Sequence, residues 1–339
     1  MLTTVTMFLL LAFLAFLLLL RDENGKKTTF FDIESTNCMR GFWCIIVLLV
    51  HVPELYRNPI QDALGSFAYV AVTFFFMTSG YGLALGVQKR PDSIKSGFWK
   101  RRLVKLLLPM FLVNILRVLT EWVVQKEFNP LHFISITGFV RQLLAFYLLF
   151  WLVFRFSGRL SFGGKAGLLC AVVAAFSFTV YLVGDNPLFA WPVETFGFMY
   201  GVLLALYKDK LQCMASHRWL LKCSAIGVAA LVLGVAYLKF KSVPLAGDYI
   251  CKLVLGAAIL LLLLFLNTKL SMGNPVSRFL GSVSYEVYLI HDVVFIALAA
   301  VPMAINSGVF VLLSVVLTVL LSYLVHLGSN GILRGLSKI

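Results

Sequence analysis

Eleven stretches of roughly 18 or more mostly apolar residues punctuate the chain, each long enough to cross the roughly 30 Å hydrocarbon core of a bilayer as a helix. They cover approximately residues 2–20, 38–56, 65–86, 101–122, 136–156, 166–183, 189–207, 219–238, 248–267, 279–300 and 308–327. Lipid offers a bare backbone no hydrogen-bond partner, and the alternating ten-residue pattern of a membrane barrel is absent, so the runs are expected to be helices. The fold class that follows is all-α: a polytopic transmembrane helix bundle of about 11 spans. Composition agrees, because 60% of the 339 residues are hydrophobic and 13% are charged, about half the charged fraction of an ordinary soluble domain. A net charge of +14 would raise nucleic acid in a soluble chain. Here the basic residues sit between apolar runs, so membrane lipid and no nucleic acid is the expected partner. The six cysteines show no CxxC or Cys/His spacing, and neither a disulfide framework nor a metal site is expected.

The connectors set the orientation, since Lys and Arg are retained on the cytoplasmic side. Nineteen fall on one side of the alternating spans, among them Arg21, Lys26 and Lys27, the run from Lys89 to Arg102, Arg155, Arg159, Lys165, Lys208, Lys210, Arg218, Lys269, Arg278, Arg334 and Lys338. Four, Arg57, Lys126, Lys239 and Lys241, fall on the other. The N-terminus is therefore expected outside and the C-terminus in the cytoplasm of a multi-pass protein of the plasma or inner membrane. The first run lacks a basic leader and a small-residue cleavage site, and is expected to stay as a helix.

Charge inside a membrane helix costs about 2.5 to 3.5 kcal/mol at the bilayer centre, so each instance asks for a reason. Arg40 and His51 lie in one span eleven residues apart, which is about 20° from three whole turns and a rise of about 16 Å. They share one helix face, the arginine toward the inner leaflet and the histidine toward the outer. At similar outer depth come Glu54, Arg117, Glu121, Arg141, Glu194, His291 and Asp292 on different spans, and turned inward they would enclose a polar chamber. His291 and Asp292 point about 100° apart on a helix and are not expected to pair. At the inner depth sit Arg40, Lys100, Arg101, Arg102 and Lys105, groups suited to phosphate. A basic site inside and a histidine outside suggest a phosphate-bearing cofactor with a long arm threaded between the leaflets. Histidine is also the side chain best placed to take a proton from a hydroxyl near neutral pH, and Glu54 lies one turn away where it could orient the ring. Trp43, Trp151 and Trp191 lie near span ends, as interfacial residues do.

The segments MRGFWCIIVLLVH (Met39 to His51), FFFMTSGYGLALG (Phe74 to Gly86), FWKRRLVKLLLP (Phe98 to Pro109) and LGSVSYEVYLIH (Leu280 to His291) resemble, in order and spacing, the membrane-bound acyltransferase 3 family. FGFMYGVLLALYKDKL (Phe196 to Leu211) is a weaker likeness to the family's helix of Phe and Gly entering a cytoplasmic loop. The resemblance covers about residues 30–330. It implies a ten-helix domain, here residues 30–339, preceded by an extra transmembrane helix and basic cytoplasmic loop over residues 1–29. It also implies transfer of an acyl group, most often acetyl, from cytosolic acyl-CoA to a hydroxyl of an extracytoplasmic glycan or glycolipid. By the same resemblance Arg40 and His51 are the Arg-x10-His motif, Arg101, Arg102 and Lys105 bind the acyl-CoA, and Ser79 and Gly80 permit close helix approach. Ser284, Tyr285 and His291 are the late motif. Lys105 stands where arginine is common, which keeps the charge and loses the bidentate fork. The sequence shows no counterpart of the hydrolase-like domain that some relatives append, so the acyl group is expected to pass directly to the acceptor or to a separate protein.

The catalytic set read from the sequence is His51, Glu54, His291 and Tyr285, with Arg117, Glu121, Arg141 and Glu194 in the acceptor chamber. His51 would act as general base or as an acyl relay. An alternative is a transporter or exporter of a polysaccharide precursor, which also uses intramembrane Arg, Glu and His. Such carriers show internal repeats with paired broken helices, and no convincing match between the halves is seen.

Overall fold

The computed structural model describes residues 2–19, 31–184, 188–301 and 306–336. The expected cluster Arg21, Lys26 and Lys27, the terminal Lys338 and the boundary between residues 29 and 30 lie outside the described residues. Among the described residues the secondary structure is helical, with no strand. The α-helices are α1 (Leu2–Leu17), α2 (Ile33–Val50), α3 (Pro59–Gly65), α4 (Tyr69–Lys89), α5 (Phe98–Thr120), α6 (Gly138–Phe156) and α7 (Phe162–Val183). They continue with α8 (Phe196–Ser216), α9 (Trp219–Phe240), α10 (Lys252–Leu266), α11 (Pro275–Ser282), α12 (Ser284–Ala299) and α13 (Ser307–Leu336). Eight helical segments are long and apolar enough to cross a membrane, and α11 with α12 makes a ninth if the pair, bent by 74°, is one span. The other two expected spans correspond to α1, which is short, and to the apolar first half of α8. That helix kinks at Tyr207 just before its charged Lys208, Asp209 and Lys210.

Two expected spans have different ends, for local reasons. The second begins at Ile33, where the Asp32 side chain accepts a hydrogen bond from the Ser35 amide at 2.7 Å. It ends at Val50, because Pro53 cannot continue a helix and disfavours helical geometry at the residue before it. His51 becomes the C-cap. The tenth is broken at Val283: α11 starts on an Asn274 capping box with Pro275 in its first turn, and α12 restarts at Ser284.

Large aromatics fill the interior. Phe74, Phe76, Phe146, Phe150 and Phe198 are buried, with Phe150 stacked on Phe154 at 4.2 Å between ring centroids. Trp43, expected at an interface, is buried in this core instead, T-shaped against Phe42. The outside is equally apolar, as lipid requires: Val228, Leu231, Val232 and Val235 of α9 are exposed. Two helix pairs come into backbone contact through glycine. A Cβ on Gly80 of α4 or Gly201 of α8 would collide with the facing carbonyls of Phe198 and Met77, and one on Gly41 of α2 or Gly281 of α11 would collide with those of Ser277 and Asn37. These contacts lock α4 to α8 and α11 to α2. The space between α2, α4, α6 and α12 stays open.

Candidate active site

A cavity of about 1370 Å³ occupies that space. It follows α2 from its first turn, at Asp32 and Glu34, past Arg40 and Val47 to His51. The face of α2 deduced from helical periodicity is therefore the wall of one continuous cavity. The opposite walls carry Ser79, Gly82 and Gly86 of α4, Tyr147 of α6, Ser284, Tyr285 and Tyr288 of α12, and Trp191. Trp191, expected at an interface, thus faces the cavity.

At the His51 end the last turn of α2 is fixed by Arg57, which donates from Nε to the Val52 carbonyl at 3.1 Å and from a terminal nitrogen to Val50 at 3.4 Å. His51 Nδ1 lies 2.7 Å from the Val47 carbonyl. A carbonyl only accepts, so Nδ1 carries the proton and Nε2 of the neutral ring holds the free lone pair. The ring is oriented by backbone, which corrects the orienting role considered for Glu54: that residue is exposed in the 3₁₀ turn Glu54–Tyr56. The His291 ring stands edge-on to His51 at 5.0 Å between centroids. His291 is buried, and neither of its ring nitrogens has a hydrogen bond of good geometry. Its Nε2 lies 3.3 Å from Asp292 Oδ1, so these sequence neighbours approach each other, contrary to the helical-wheel expectation. Tyr285 lines the cavity and donates its hydroxyl to the Leu106 carbonyl at 2.7 Å, which ties α12 to α5.

At the other end Arg40 opens on the cavity, and its buried Nε has no partner. Tyr147 lies within electrostatic reach of both Arg40 and Arg102. Arg101, Arg102 and Lys105 are not in the cavity wall. Arg101 folds back on the Ser96 carbonyl at 3.0 Å. Arg102 donates to the Phe98 carbonyl at 3.1 Å and lies over the Phe98 ring at 3.9 Å, and Lys105 is exposed. The cations that do line the cavity beside Arg40 are Lys89 and Lys208, at the ends of α4 and of the apolar half of α8.

The four residues assigned to an acceptor chamber do not share one. Glu121 is buried and accepts from Arg117 Nε at 2.8 Å and from His132 Nδ1 at 2.6 Å. Arg117 also borders a smaller pocket of about 250 Å³ with Asn114 and Asp292, and Tyr288 lines both this pocket and the main cavity. Arg141 donates to the Leu188 carbonyl at 2.6 Å. Glu194 is buried against Lys252 Nζ at 2.7 Å, outside the cavity lining, with that ammonium over the Tyr69 ring. The sequence reading also missed a part-buried chain between α12 and α13: Glu286 accepts from His326 Nδ1 at 2.9 Å, and His326 Nε2 accepts from Asn330 at 2.9 Å. Its members lie forty residues apart on α12 and α13, and only the isolated charge of Glu286 in an apolar run hinted at it.

Comparison with known proteins gives one finding. Residues 33–327 match the model of the acyltransferase 3 family, described as an acyltransferase domain. Neither the comparison with curated proteins nor that with solved structures gives a match.

Proposed function

The chain belongs to the acyltransferase 3 family, and from that premise we propose that it moves an acyl group, acetyl by expectation, from cytoplasmic acyl-CoA to a hydroxyl of an extracytoplasmic glycan or glycolipid. The observation that carries this reading is the single cavity joining Arg40 to His51 along one face of α2. The basic connectors support a cytoplasmic position for the Arg40 end, an extracytoplasmic position for the His51 end, an external N-terminus and a cytoplasmic C-terminus. Arg40 then meets the diphosphate with its free guanidinium donors, and the pantetheine arm spans the rise of about 16 Å to His51.

At His51, Nε2 is the basic nitrogen. It removes the proton of the acceptor hydroxyl as that oxygen attacks the thioester carbonyl; the C–O bond forms, the C–S bond breaks, and the thiolate of CoA leaves and takes up the proton. In the relay version Nε2 itself takes the acyl group before the hydroxyl does, and an acyl-histidine trapped by rapid quenching distinguishes the two. His291, 5.0 Å from His51 between ring centroids and with a ring nitrogen, Nδ1, that has no hydrogen-bond or ion-pair partner, is placed to hydrogen-bond the carbonyl oxygen as negative charge develops there. Carrier chemistry has less support, since the bent pair α11 and α12 has no counterpart among the described residues.

The test is sided. Labelled acetyl-CoA is supplied to the outside of sealed inverted vesicles, whose lumen corresponds to the extracytoplasmic space and holds the native glycans. Label inside, esterified to sugar, is the expected result. Label that stays with CoA on the outside contradicts the reading.

A further inference from the structure

The cytoplasmic mouth of the cavity carries charges that the path from Arg40 to His51 does not use. From Arg40 back to the start of α2 is a further rise of about 10 Å, and over that distance the wall is formed by the first turns of α2, the last turns of α4, and Lys208. Two carboxylates and two ammonium groups lie in this rim. The carboxylates are committed: Asp32 caps α2, and Glu34 receives Arg278 at 2.7 Å. Lys89 and Lys208 make no ion pair and no side-chain hydrogen bond among the described residues. On the same face of α4, Gly82 and Gly86 lie one turn apart and open to the cavity, with nothing within 4 Å of where a Cβ would stand. By contrast Gly80, on the opposite face, is pressed against α8. The glycines of α4 thus serve two purposes, packing on one side and leaving a groove on the other.

We propose that this mouth is the dock for the nucleotide end of the acyl donor: Lys89 and Lys208 hold the phosphate on the ribose of a 3′-phosphorylated adenosine, and the groove over Gly82 and Gly86 passes the chain inward to Arg40. The proposal rests on the acyl-CoA reading above and adds to it where the anionic head sits. It assigns that role to two lysines that the sequence motifs leave out. Arg101 and Arg102, the cations those motifs suggest, are turned onto the carbonyls of Ser96, just before α5, and of Phe98 in its first turn. Arg40 is half-buried, with its Nε enclosed, and singly charged, suited to the diphosphate but too deep for the head, and the rim supplies the two remaining cations at the right end.

The experiment measures binding of CoA and of adenosine 3′,5′-bisphosphate to the full chain in lipid nanodiscs. Wild type is expected to bind CoA, with the bisphosphate competing. Lys89→Glu with Lys208→Glu is expected to weaken both ligands by at least about tenfold, the loss of one charge-assisted contact. Lys95→Glu, on the same membrane side and outside the cavity, should leave both unchanged. Gly86→Leu, which has room to fold by filling the groove, should weaken CoA as well. CoA binding in wild type that the bisphosphate does not compete, or that the double variant retains, overturns the dock and leaves the acyl-CoA reading standing. Failure of wild type to bind CoA overturns both.

Discussion

His51 is placed to act because one of its nitrogens is already occupied. The bond from Nδ1 to the Val47 carbonyl fixes both ring orientation and tautomer, leaving Nε2 as the basic atom of a ring that lines the cavity. His51→Gln is therefore expected to lower turnover by about 10²- to 10⁴-fold, the usual worth of a positioned base, while CoA affinity stays near wild type, because the proposed sites for the nucleotide head and diphosphate are at the other end. Steady-state rates beside direct binding check this pair of outcomes. His326 bonds the buried Glu286 carboxylate, so His326→Ala should cost about 1–3 kcal/mol by stranding that carboxylate, and Glu286→Gln with His326→Ala should cost less than the sum of the singles. Thermal unfolding in detergent reads both. At this scale the pair Arg40 and His51 was legible, since helical period alone puts residues eleven apart on one face. The pair of Glu286 and His326 was not legible, because no local period relates residues forty positions apart on two helices. Glu121 and Glu194 were singled out as acceptor-chamber charges, whereas the structure pairs Glu121 with Arg117 and His132 and Glu194 with Lys252, His132 and Lys252 being partners that no sequence spacing announced.

At the scale of elements, glycine placement decides which helices touch and which stay apart. Gly80→Val should destabilise the bundle by about 1–3 kcal/mol or prevent its accumulation, since the new side chain meets the Phe198 carbonyl, whereas Gly82→Ala should leave the unfolding temperature near wild type. Fluorescence-detected size-exclusion after a heat series separates them. The runs of apolar residues gave the helices, yet they did not reveal the break at Val283 or the end of α2 at Val50. The break lies inside an apolar stretch and depends on how α11 packs on α2 through Gly41 and Gly281. The end at Val50 was visible in Pro53, whose effect on the preceding residues outweighs the apolar pattern running through them.

At the scale of the whole molecule, the account requires a bundle with a basic donor end and a histidine end on opposite membrane faces. Cys213, exposed near the end of α8, should react with an impermeant thiol reagent in inverted vesicles and resist it in intact cells; the reverse labelling would invert the topology. The most direct measurement follows acetyl label from acetyl-CoA in membranes containing the native glycans and either the wild-type protein or His51→Ala, scoring label in glycolipid, polymer and free acetate. The account predicts sugar-ester label with wild type and none above background with His51→Ala. Equal labelling by the two proteins would contradict it.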